Sequence, residues 1–293
     1  MDFRLAVFVA VANNRSFTRA ADELHISQPA ISRHIRELES TYKAKLFERA
    51  GNKVSLTPAG ETLLRYAETI LETYRSLQLE MNLLTGNFTG ELRVGASTTI
   101  AQYILPPLVA KFISLFPDVR LTVVSGNTEQ IERALEGHRI DIGLVEGAHH
   151  KPTFRYTPFQ KDELVLVTGT ANKIGDEVTV EELASLPLVL RENGSGTLEV
   201  VSRGLAAHGK HLSDMNILLQ LDSTESIKLF IDNSPSVFAI VSIAAVAREL
   251  AQGKLKVVEV AGLQLERNFS YVVPQTAHSE IQERFLRFLT QTL

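Results

Sequence analysis

The segment SQPAISRHIRELE, residues 27–39, combines one apolar stripe with a polar and basic surface. Ile31, Ile35 and Leu38 recur at spacings of four and three residues, which predicts an α-helix with one buried face. The leading serine is a good N-cap, and the proline falls in the first turn, where its missing N–H does no harm. The opposite face presents short polar and long cationic groups that suit base edges and phosphates. These groups belong to Gln28, Ser32, Arg33 and Arg36.

Two further helices are predicted before this segment. Residues 3–13 form the first, and the second begins near Thr18, a suitable N-cap. Ala20 and Ala21 face inward in the second helix, and their small size lets another helix cross closely. Two short helices joined by a tight turn, the later one polar and basic outside, have the layout of a helix-turn-helix. The other residues predicted to face the core of these helices are Leu5, Phe8, Val9, Ala12 and Leu24.

The following segment, KLFERAGNKVSLTPAG at residues 45–60, predicts two short strands around a Gly-Asn turn. Arg49 and Lys53 face outward in these strands. Such a hairpin is a wing that can reach a neighbouring minor groove. The residues predicted to face inward are Leu46, Phe47, Val54 and Leu56.

Charge is unevenly distributed along the 293 residues, whose formal net charge is −4. Residues 1–60 contain nine Lys and Arg against six Asp and Glu, so they carry +3 and leave −7 for the rest. A basic N-terminal segment in an otherwise acidic chain indicates a local site for a polyanion. The pattern alone also allows a solvated amphipathic helix with incidental arginines.

The stretch FVAVANNRSFTRAADELHISQPAISRHIRELESTYKAKLFERAGNKVSLTPAGE, residues 8–61, resembles the winged helix-turn-helix of LysR-type transcriptional regulators at nearly every position. The sequence departs from the family pattern at Tyr42-Lys43, where Leu-Gly is usual, and its wing is less basic than many. The resemblance implies recognition of double-stranded DNA. It assigns Gln28, Pro29, Ser32 and Arg33 to the recognition helix, and Arg49 and Lys53 to the wing.

A long helix is predicted after the wing, with apolar residues spaced alternately by four and three through three heptads. We call this row of apolar residues the seam; at about 1.5 Å per residue it spans roughly 32 Å. DNA half-sites lie about 34 Å apart, so a two-fold dimer with one DNA-binding unit per half-site would fit. The alternative is a core helix packed within its own chain. The seam residues are Leu63, Ala67, Ile70, Tyr74, Leu77, Met81 and Leu84.

Glycines in TGNFTG, residues 85–90, predict a hinge after this helix. From Glu91 onward strands and helices alternate, which predicts parallel-rich sheets flanked by helices. These residues alone fit one doubly wound domain or two smaller ones. The predicted domains are residues 1–57 for DNA binding, 58–90 for the linker and 91–293 for effector binding.

The family resemblance, weaker in this part, implies two α/β lobes of the periplasmic-binding-protein type with an effector in the cleft between them. The chain would cross between lobes near residues 161–165 and return near 264–268. Lobe 1 would therefore comprise about 91–162 and 267–293, and lobe 2 about 163–266. The whole fold class is α/β: a winged helix-turn-helix, a coiled-coil linker helix and two effector-binding lobes.

Three strand-to-helix junctions in this region are rich in hydroxyl groups or glycine. Ligands of open α/β sheets gather beyond the carboxyl ends of strands, where helix N-termini offer free N–H groups, so these junctions favour a small anion. Arg191 could add a guanidinium for a carboxylate or oxyanion, and Glu146 could pair with it or meet a cationic part of the ligand. Ordinary helix N-caps are the alternative. The predicted effector contacts are Ser97, Thr98, Thr99, Glu146, Arg191, Gly194, Ser195, Gly196, Thr197 and Thr224, and Ser223 and Glu225 flank the last of these.

Four motifs are similar to the CysL-like branch of the family, which controls sulfite-reduction genes, so a sulfur oxyanion becomes a candidate effector. The motifs are STTIAQYILP, IDIGLVEG, LRENGSGT and DSTESIK. The expected partners are double-stranded DNA, a small-molecule effector, a second copy of the chain in a homodimer or homotetramer, and RNA polymerase.

Several other classes of protein are disfavoured by the sequence. The chain has no cysteine, which excludes thiolate catalysis and cysteine-ligated metals. ENGSGT, residues 192–197, matches neither G-x-S-x-G nor a phosphate-binding loop. We therefore expect a cytoplasmic protein that is not an enzyme and has no cofactor, metal or membrane partner. A small-molecule-binding protein or a hydrolase-type α/β enzyme is the alternative class, and the histidines weighed as its metal ligands or catalytic bases are His149, His150, His208, His211 and His278.

Overall fold

The computed structural model describes residues 3–50, 53–84, 89–147, 151–275 and 279–292. Within these ranges, the side chains of residues 49, 50, 53, 72, 75, 76 and 78–84 fall outside the description. The chain divides into two compact units, Met1–Asn87 and Phe88–Leu293. We name them the N-terminal unit and the C-terminal unit.

The N-terminal unit is a cluster of helices with a two-stranded antiparallel hairpin. Ser16 caps the second helix by accepting a hydrogen bond from the Arg19 N–H at 3.3 Å, so the predicted cap, Thr18, was wrong. The first helix packs against three others and therefore also buries Val7 and Val11, which the single predicted stripe missed. Its elements are α1 Phe3–Asn14, α2 Phe17–Glu23, α3 Gln28–Tyr42, β1 Phe47–Ala50, β2 Lys53–Leu56 and α4 Pro58–Leu84.

Helix α3 is built as its sequence predicts. Ile31, Ile35 and Leu38 are buried, and the Ser27 hydroxyl accepts a hydrogen bond from the backbone of the first turn. The helix ends at Lys43, which adopts φ 50°, in the left-handed region that glycine prefers at this position. The departure from the family pattern therefore lies in the C-cap and leaves the polar face of α3 unchanged.

The seam of α4 divides between a buried and an exposed part. Ala67 is fully buried and Leu63 packs against the same core, so Ala67 belongs to the core of its own unit and not to an interface. Ile70 and Leu77 are 50% and 52% exposed, and Tyr74 is half-buried. The side chains of Met81 and Leu84, and residues 85–88 of the predicted hinge, lie outside the described residues.

The C-terminal unit alternates strands and helices around a ten-stranded mixed sheet. Its elements are β3 Gly90–Ser97, a π-helical turn Ile100–Ile104, α5 Leu105–Leu115, β4 Val119–Gly126, α6 Thr128–Glu136, β5 Ile142–Glu146, β6 Phe154–Gly169, β7 Glu177–Val178, α7 Val180–Ser185, β8 Leu188–Arg191, α8 Gly196–Ala207, a 3₁₀ turn Leu212–Asp214, β9 Ile217–Leu221, α9 Thr224–Asn233, β10 Phe238–Ser242, α10 Ile243–Ala251, β11 Leu255–Val260, β12 Glu266–Pro274 and α11 Glu280–Thr292.

The sheet is organised as two lobes that share β6. The strand order is β4-β3-β5-β12-β6-β10-β8-β9, with β11 also paired to β6. β6 pairs with β12 up to Glu163 and with β10 from Leu164 onward. The first lobe therefore contains β3, β4, β5 and β12, and the second contains β8 to β11. Pairs within β3–β5 and within β8–β10 are parallel, whereas β6 runs antiparallel to β10, β11 and β12.

The helical segment after β3 begins with the π-helical turn and continues as α5. The Leu105 N–H donates to the carbonyl of Ile100, five residues back, and Pro106 follows without an N–H group to continue the α-helical ladder. This turn directs Tyr103 toward the second lobe, where its hydroxyl donates to Glu225.

Candidate functional site

The outward face of α3 carries the polar and basic side chains that the sequence predicts there. Gln28 donates from Nε2 to the Ser32 hydroxyl at 3.0 Å, and Arg36 donates from Nε to the Ser32 carbonyl at 3.2 Å. The Arg33 side chain is 76% exposed and donates from Nε to Glu37 at 3.0 Å. Pro29 is exposed beside them. This surface offers donors to base edges and phosphates without disturbing the buried stripe.

Two carboxylates organise the charges of this helix. The hydrogen bond from Arg33 lowers the pKa of Glu37, which therefore stays ionised beside the outward face of α3. Burial would raise the pKa of Glu39, but hydrogen bonds from Lys45 and from the backbone of Leu46 outweigh it and lower that pKa. Glu39 thus fastens the end of α3 to the segment entering the hairpin.

The hairpin pairs Arg49 with Val54 and Ala50 with Lys53. The side chains of Arg49 and Lys53 lie outside the described residues, as do Gly51 and Asn52 of the turn. Their predicted contact with DNA stays a prediction.

Arg191, at the end of β8, lies where the two lobes meet and is 1% exposed. Its Nε and Nη2 atoms bind both oxygens of Glu192, at 2.8 and 3.1 Å. Nη2 also donates to the Thr98 hydroxyl of the first lobe at 3.3 Å and to the Asp222 carbonyl at 3.2 Å. Nη1 is buried and has no hydrogen-bond partner within the described part of the chain. The structure thus brings Thr98 and Arg191 together and leaves two N–H groups of this guanidinium unused.

Two more threonines and a helix N-terminus follow closely in the chain after Thr98 and Asp222, the two residues besides Glu192 that bind this guanidinium. Thr99 and Thr224 are buried, and neither hydroxyl has a hydrogen-bond partner among the described residues. Thr224 begins α9, and the hydroxyl of its N-cap, Ser223, makes no capping bond. The first N–H groups of α9 are therefore free to receive an anion.

A second inter-lobe contact lies next to Arg191. The Tyr103 hydroxyl donates to Glu225, which also binds Lys228 at 2.7 Å. Burial first, and then the hydrogen bond to Glu225, raises the pKa of Tyr103 far above its usual value, so the phenol stays protonated. Lys228 reaches a second carboxylate, Glu249, at 2.8 Å, and lies over the Tyr103 ring at 5.1 Å.

A separate buried network contains Ser97, Glu146 and Thr197, which the sequence placed in the effector site. Ser97 donates to Glu146, whose other oxygen lies 3.6 Å from Arg267. Arg267 also donates to the Thr197 hydroxyl at 2.9 Å and to Asp162 at 2.7 Å. Glu146 therefore pairs with Arg267, so the first of the two alternatives for Glu146, pairing with Arg191, was wrong. The network joins β3, β5, β6, β12 and α8 where the lobes meet.

The glycine-rich turn at residues 194–197 is used for packing between the lobes. Ser195 caps α8, since its hydroxyl accepts hydrogen bonds from the Thr197 and Leu198 N–H groups. At this junction the structure therefore shows the ordinary helix N-cap that was the alternative to an effector contact. A Cβ on Gly196 would lie 2.0 Å from the carbonyl oxygen of Glu146, so only glycine permits this approach. The Gly194 carbonyl accepts a hydrogen bond from Glu129 in the first lobe at 3.2 Å.

Sequence reasoning missed Tyr103, Glu192, Asp162, Arg267 and Lys228. Only Glu192 carried a local signal, its place beside Arg191 at a strand end. The others come from helix faces and from strands far away in the chain, and only the fold brings them near.

The histidines considered as metal ligands have ordinary surroundings where they are described. Both ring nitrogens of His208 lie 3.0 Å from backbone carbonyl oxygens, those of Gly204 and Gly262. In the described ranges no group of three or more His, Asp or Glu side chains is arranged to hold a metal ion. His149, His150 and His278 lie outside the described residues. None of the helices described is long and apolar enough to cross a membrane.

Comparison with known families identifies both units. Residues 3–61 match the model of the bacterial regulatory helix-turn-helix protein, lysR family, and residues 85–293 match the LysR substrate binding domain. The chain belongs to the LysR family. The chain is thus a DNA-binding transcriptional regulator with an effector-binding domain, and the predicted fold class is confirmed.

Full-length relatives support this membership of the LysR family. HTH-type transcriptional regulator CysL of Bacillus subtilis is 30% identical over 288 residues, covering 97% of this chain and 95% of that protein. A probable RuBisCO transcriptional regulator of Gracilaria tenuistipitata var. liui is 32% identical over 292 residues, covering 96% of this chain and 93% of the relative. The crystal structure of CbnR, a LysR family transcriptional regulator, has a TM-score of 0.68 and 22% identity, covering 100% of this chain and 99% of that one. These relatives are regulators, not enzymes.

Proposed function

We propose that this LysR-type regulator binds a small anionic effector between its two C-terminal lobes, with the Nη1 group of Arg191 as the anchor. The observation that carries the proposal is the buried, unpartnered Nη1 of a side chain that is 1% exposed. A buried donor without an acceptor costs about 1–3 kcal/mol, so an acceptor at this position would recover that free energy. A carboxylate or oxyanion is the acceptor that a guanidinium binds best.

The surroundings of Nη1 support an anion more than a neutral ligand. Thr99 and Thr224 provide hydroxyl donors, and the N-terminus of α9 provides free backbone N–H groups with a favourable dipole. We therefore assign effector contact to Thr98, Thr99, Arg191 and Thr224. Ser97, Glu146, Gly194, Ser195, Gly196 and Thr197 instead join the lobes, and they act on the effector through the lobe arrangement.

The finer chemistry of the effector rests on sequence likeness. The similarity to CysL favours a sulfur oxyanion such as sulfite or sulfate. The probable RuBisCO regulators match the chain to the same extent, so small carboxylates belong in the same test.

Isothermal titration calorimetry on the full chain tests this site, using sulfite, sulfate, thiosulfate, acetate and malonate at constant ionic strength. We expect at least one anion to bind and Arg191→Gln to weaken that binding about tenfold or more, because the anchoring charge is lost. Thr224→Ala, a milder change, should weaken it less. Arg203→Gln, an exposed arginine of α8, is the matched control. Binding that ignores both Arg191→Gln and Thr224→Ala would contradict the proposal.

The N-terminal unit reads DNA, in this proposal, with the outward face of α3. The exposed polar and cationic side chains of Gln28, Arg33 and Arg36 support this contact, with the exposed Pro29 and the half-buried Ser32 beside them on the same helix. The hairpin would add Arg49 and Lys53. Two readers on one operator require a dimer, and the exposed apolar residues Ile70 and Leu77 of α4 support pairing through that helix.

A further inference from the structure

Glu192 occupies one edge of the Arg191 guanidinium, the edge formed by Nε and Nη2. Its two carboxylate oxygens accept from Nε at 2.8 Å and from Nη2 at 3.1 Å, the side-on bidentate geometry of a bound carboxylate. With the further bonds from Nη2 to Thr98 and Asp222, the Nη1 pair is what remains of the five guanidinium N–H groups without a partner among the described residues. The charge of Arg191 is therefore already neutralised by its sequence neighbour.

The two partners differ in their freedom to move apart. The side chain of Arg191 is 1% exposed and is held by Thr98 and by the Asp222 carbonyl, whereas that of Glu192 is 22% exposed. A second anion beside an intact Arg191–Glu192 pair would meet like charge in a poorly hydrated site, which is costly. Of the two partners, Glu192 is therefore the one with access to solvent.

Glu192 also joins the lobes. Its Oε1 accepts from Nδ2 of Asn127, in the first lobe, at 3.1 Å, while Arg191 and Glu192 belong to the second lobe. Displacement of Glu192 would therefore break a hydrogen bond between the lobes at the same time as it frees Arg191.

We infer that Glu192 is a built-in competitor of the effector: an anion anchored at Nη1 of Arg191 displaces the Glu192 carboxylate from Nε and Nη2, which releases Asn127 and loosens this contact between the lobes. The inference rests on the proposed anion site at Arg191 and adds the means by which binding acts on the lobes. It also makes Glu192 a residue that sets affinity, because every anion must compete with it.

The sign of one measurement tests this inference. Full-length Glu192→Gln and Glu192→Ala are titrated with sulfite, sulfate, thiosulfate, acetate and malonate beside the unaltered protein. Competition predicts that both variants bind the anion about tenfold more tightly or better, because the competing charge is gone. If Glu192 only held Arg191 in position, the same variants would bind more weakly. Glu181→Gln, an exposed glutamate of α7, makes the same change of charge in the same lobe and should have no effect.

Failure of this inference can be told apart from failure of the anion site. Unchanged or weaker binding by both Glu192 variants, with binding still lost in Arg191→Gln, would overturn the competitor role alone. Binding that ignores Arg191→Gln would overturn both proposals, and so would the absence of binding by every anion to all proteins. An equal gain in anion affinity in Glu181→Gln would show that the gain comes from the change of net charge, and it would also overturn the competitor role.

Discussion

Arg33 is the side chain of α3 on which DNA reading can be tested most directly. It is 76% exposed, and its described hydrogen bond goes to Glu37 at 3.0 Å, so truncation should leave the fold intact. Arg33→Ala removes a cation from the reading face and also leaves Glu37 ionised there without its partner. We expect specific DNA affinity to fall about tenfold or more, since a good contact to a base edge contributes about 1–3 kcal/mol. Gel-shift titrations with the DNA upstream of the protein's own gene measure this affinity.

Arg120→Ala provides the control for this DNA measurement. Arg120 is exposed on β4 in the C-terminal unit, so its loss changes the net charge equally without touching α3. Equal affinities of the Arg33 and Arg120 variants for specific DNA would remove Arg33 from the reading surface.

At the scale of single residues, the local sequence pattern predicted which side chains are buried better than it predicted which side chains bind each other. The spacing of Ile31, Ile35 and Leu38 fixed the buried face of α3, because helical periodicity acts over a few residues. Arg191 was recognisable from its place at a strand end. The partner of Glu146 was not, because Arg267 comes from a strand more than a hundred residues later in the chain.

At the scale of elements, a strand that is buried on both faces is easier to recognise in the sequence than a strand that links the lobes. β10, Phe238–Ser242, reads as a continuous apolar run. β6 is 16 residues long and mixes polar with apolar residues because it passes from one lobe to the other, so its pattern changes midway. The π-helical turn before α5 depends on where a proline interrupts the hydrogen-bond ladder, and periodicity does not register such a change.

Helix α4 supplies a prediction about assembly. Ile70 and Leu77 are exposed on the single chain, so changing both to Asp should leave the N-terminal unit folded. If this surface pairs two chains, the charges would lie in an apolar seam and prevent association. We expect Ile70→Asp with Leu77→Asp to be monomeric by analytical ultracentrifugation at micromolar concentration. Thr69→Asp, exposed just outside the seam, should keep the oligomeric state of the unaltered protein.

The outcome for α4 separates its two interpretations. Ala67 already belongs to the core of the N-terminal unit, so the first turns of the seam serve the fold of one chain. An unchanged oligomeric state in the double variant would extend that interpretation to the rest of the helix and assign dimerisation to another surface.

At the scale of the whole molecule, each compact unit has its own stabilising interactions. The core of the N-terminal unit is formed by α1 to α4 and the hairpin. In the C-terminal unit, the buried network of Arg267, Glu146 and Asp162 fixes the junction of the lobes. A substitution in that network should therefore lower the stability of the C-terminal unit alone.

Arg267→Met tests this independence. The side chains of Arg267 and Asp162 are each 1% exposed and that of Glu146 is 2% exposed, so removing the arginine leaves two buried carboxylates without their cation. Breaking such a network costs about 3–5 kcal/mol. We expect differential scanning calorimetry to show the transition of the C-terminal unit at a markedly lower temperature and that of the N-terminal unit unmoved, with Arg203→Met as the exposed control. A parallel fall of both transitions would mean that the two units unfold as one cooperative body, and an unchanged profile would mean that the lobes do not depend on this network.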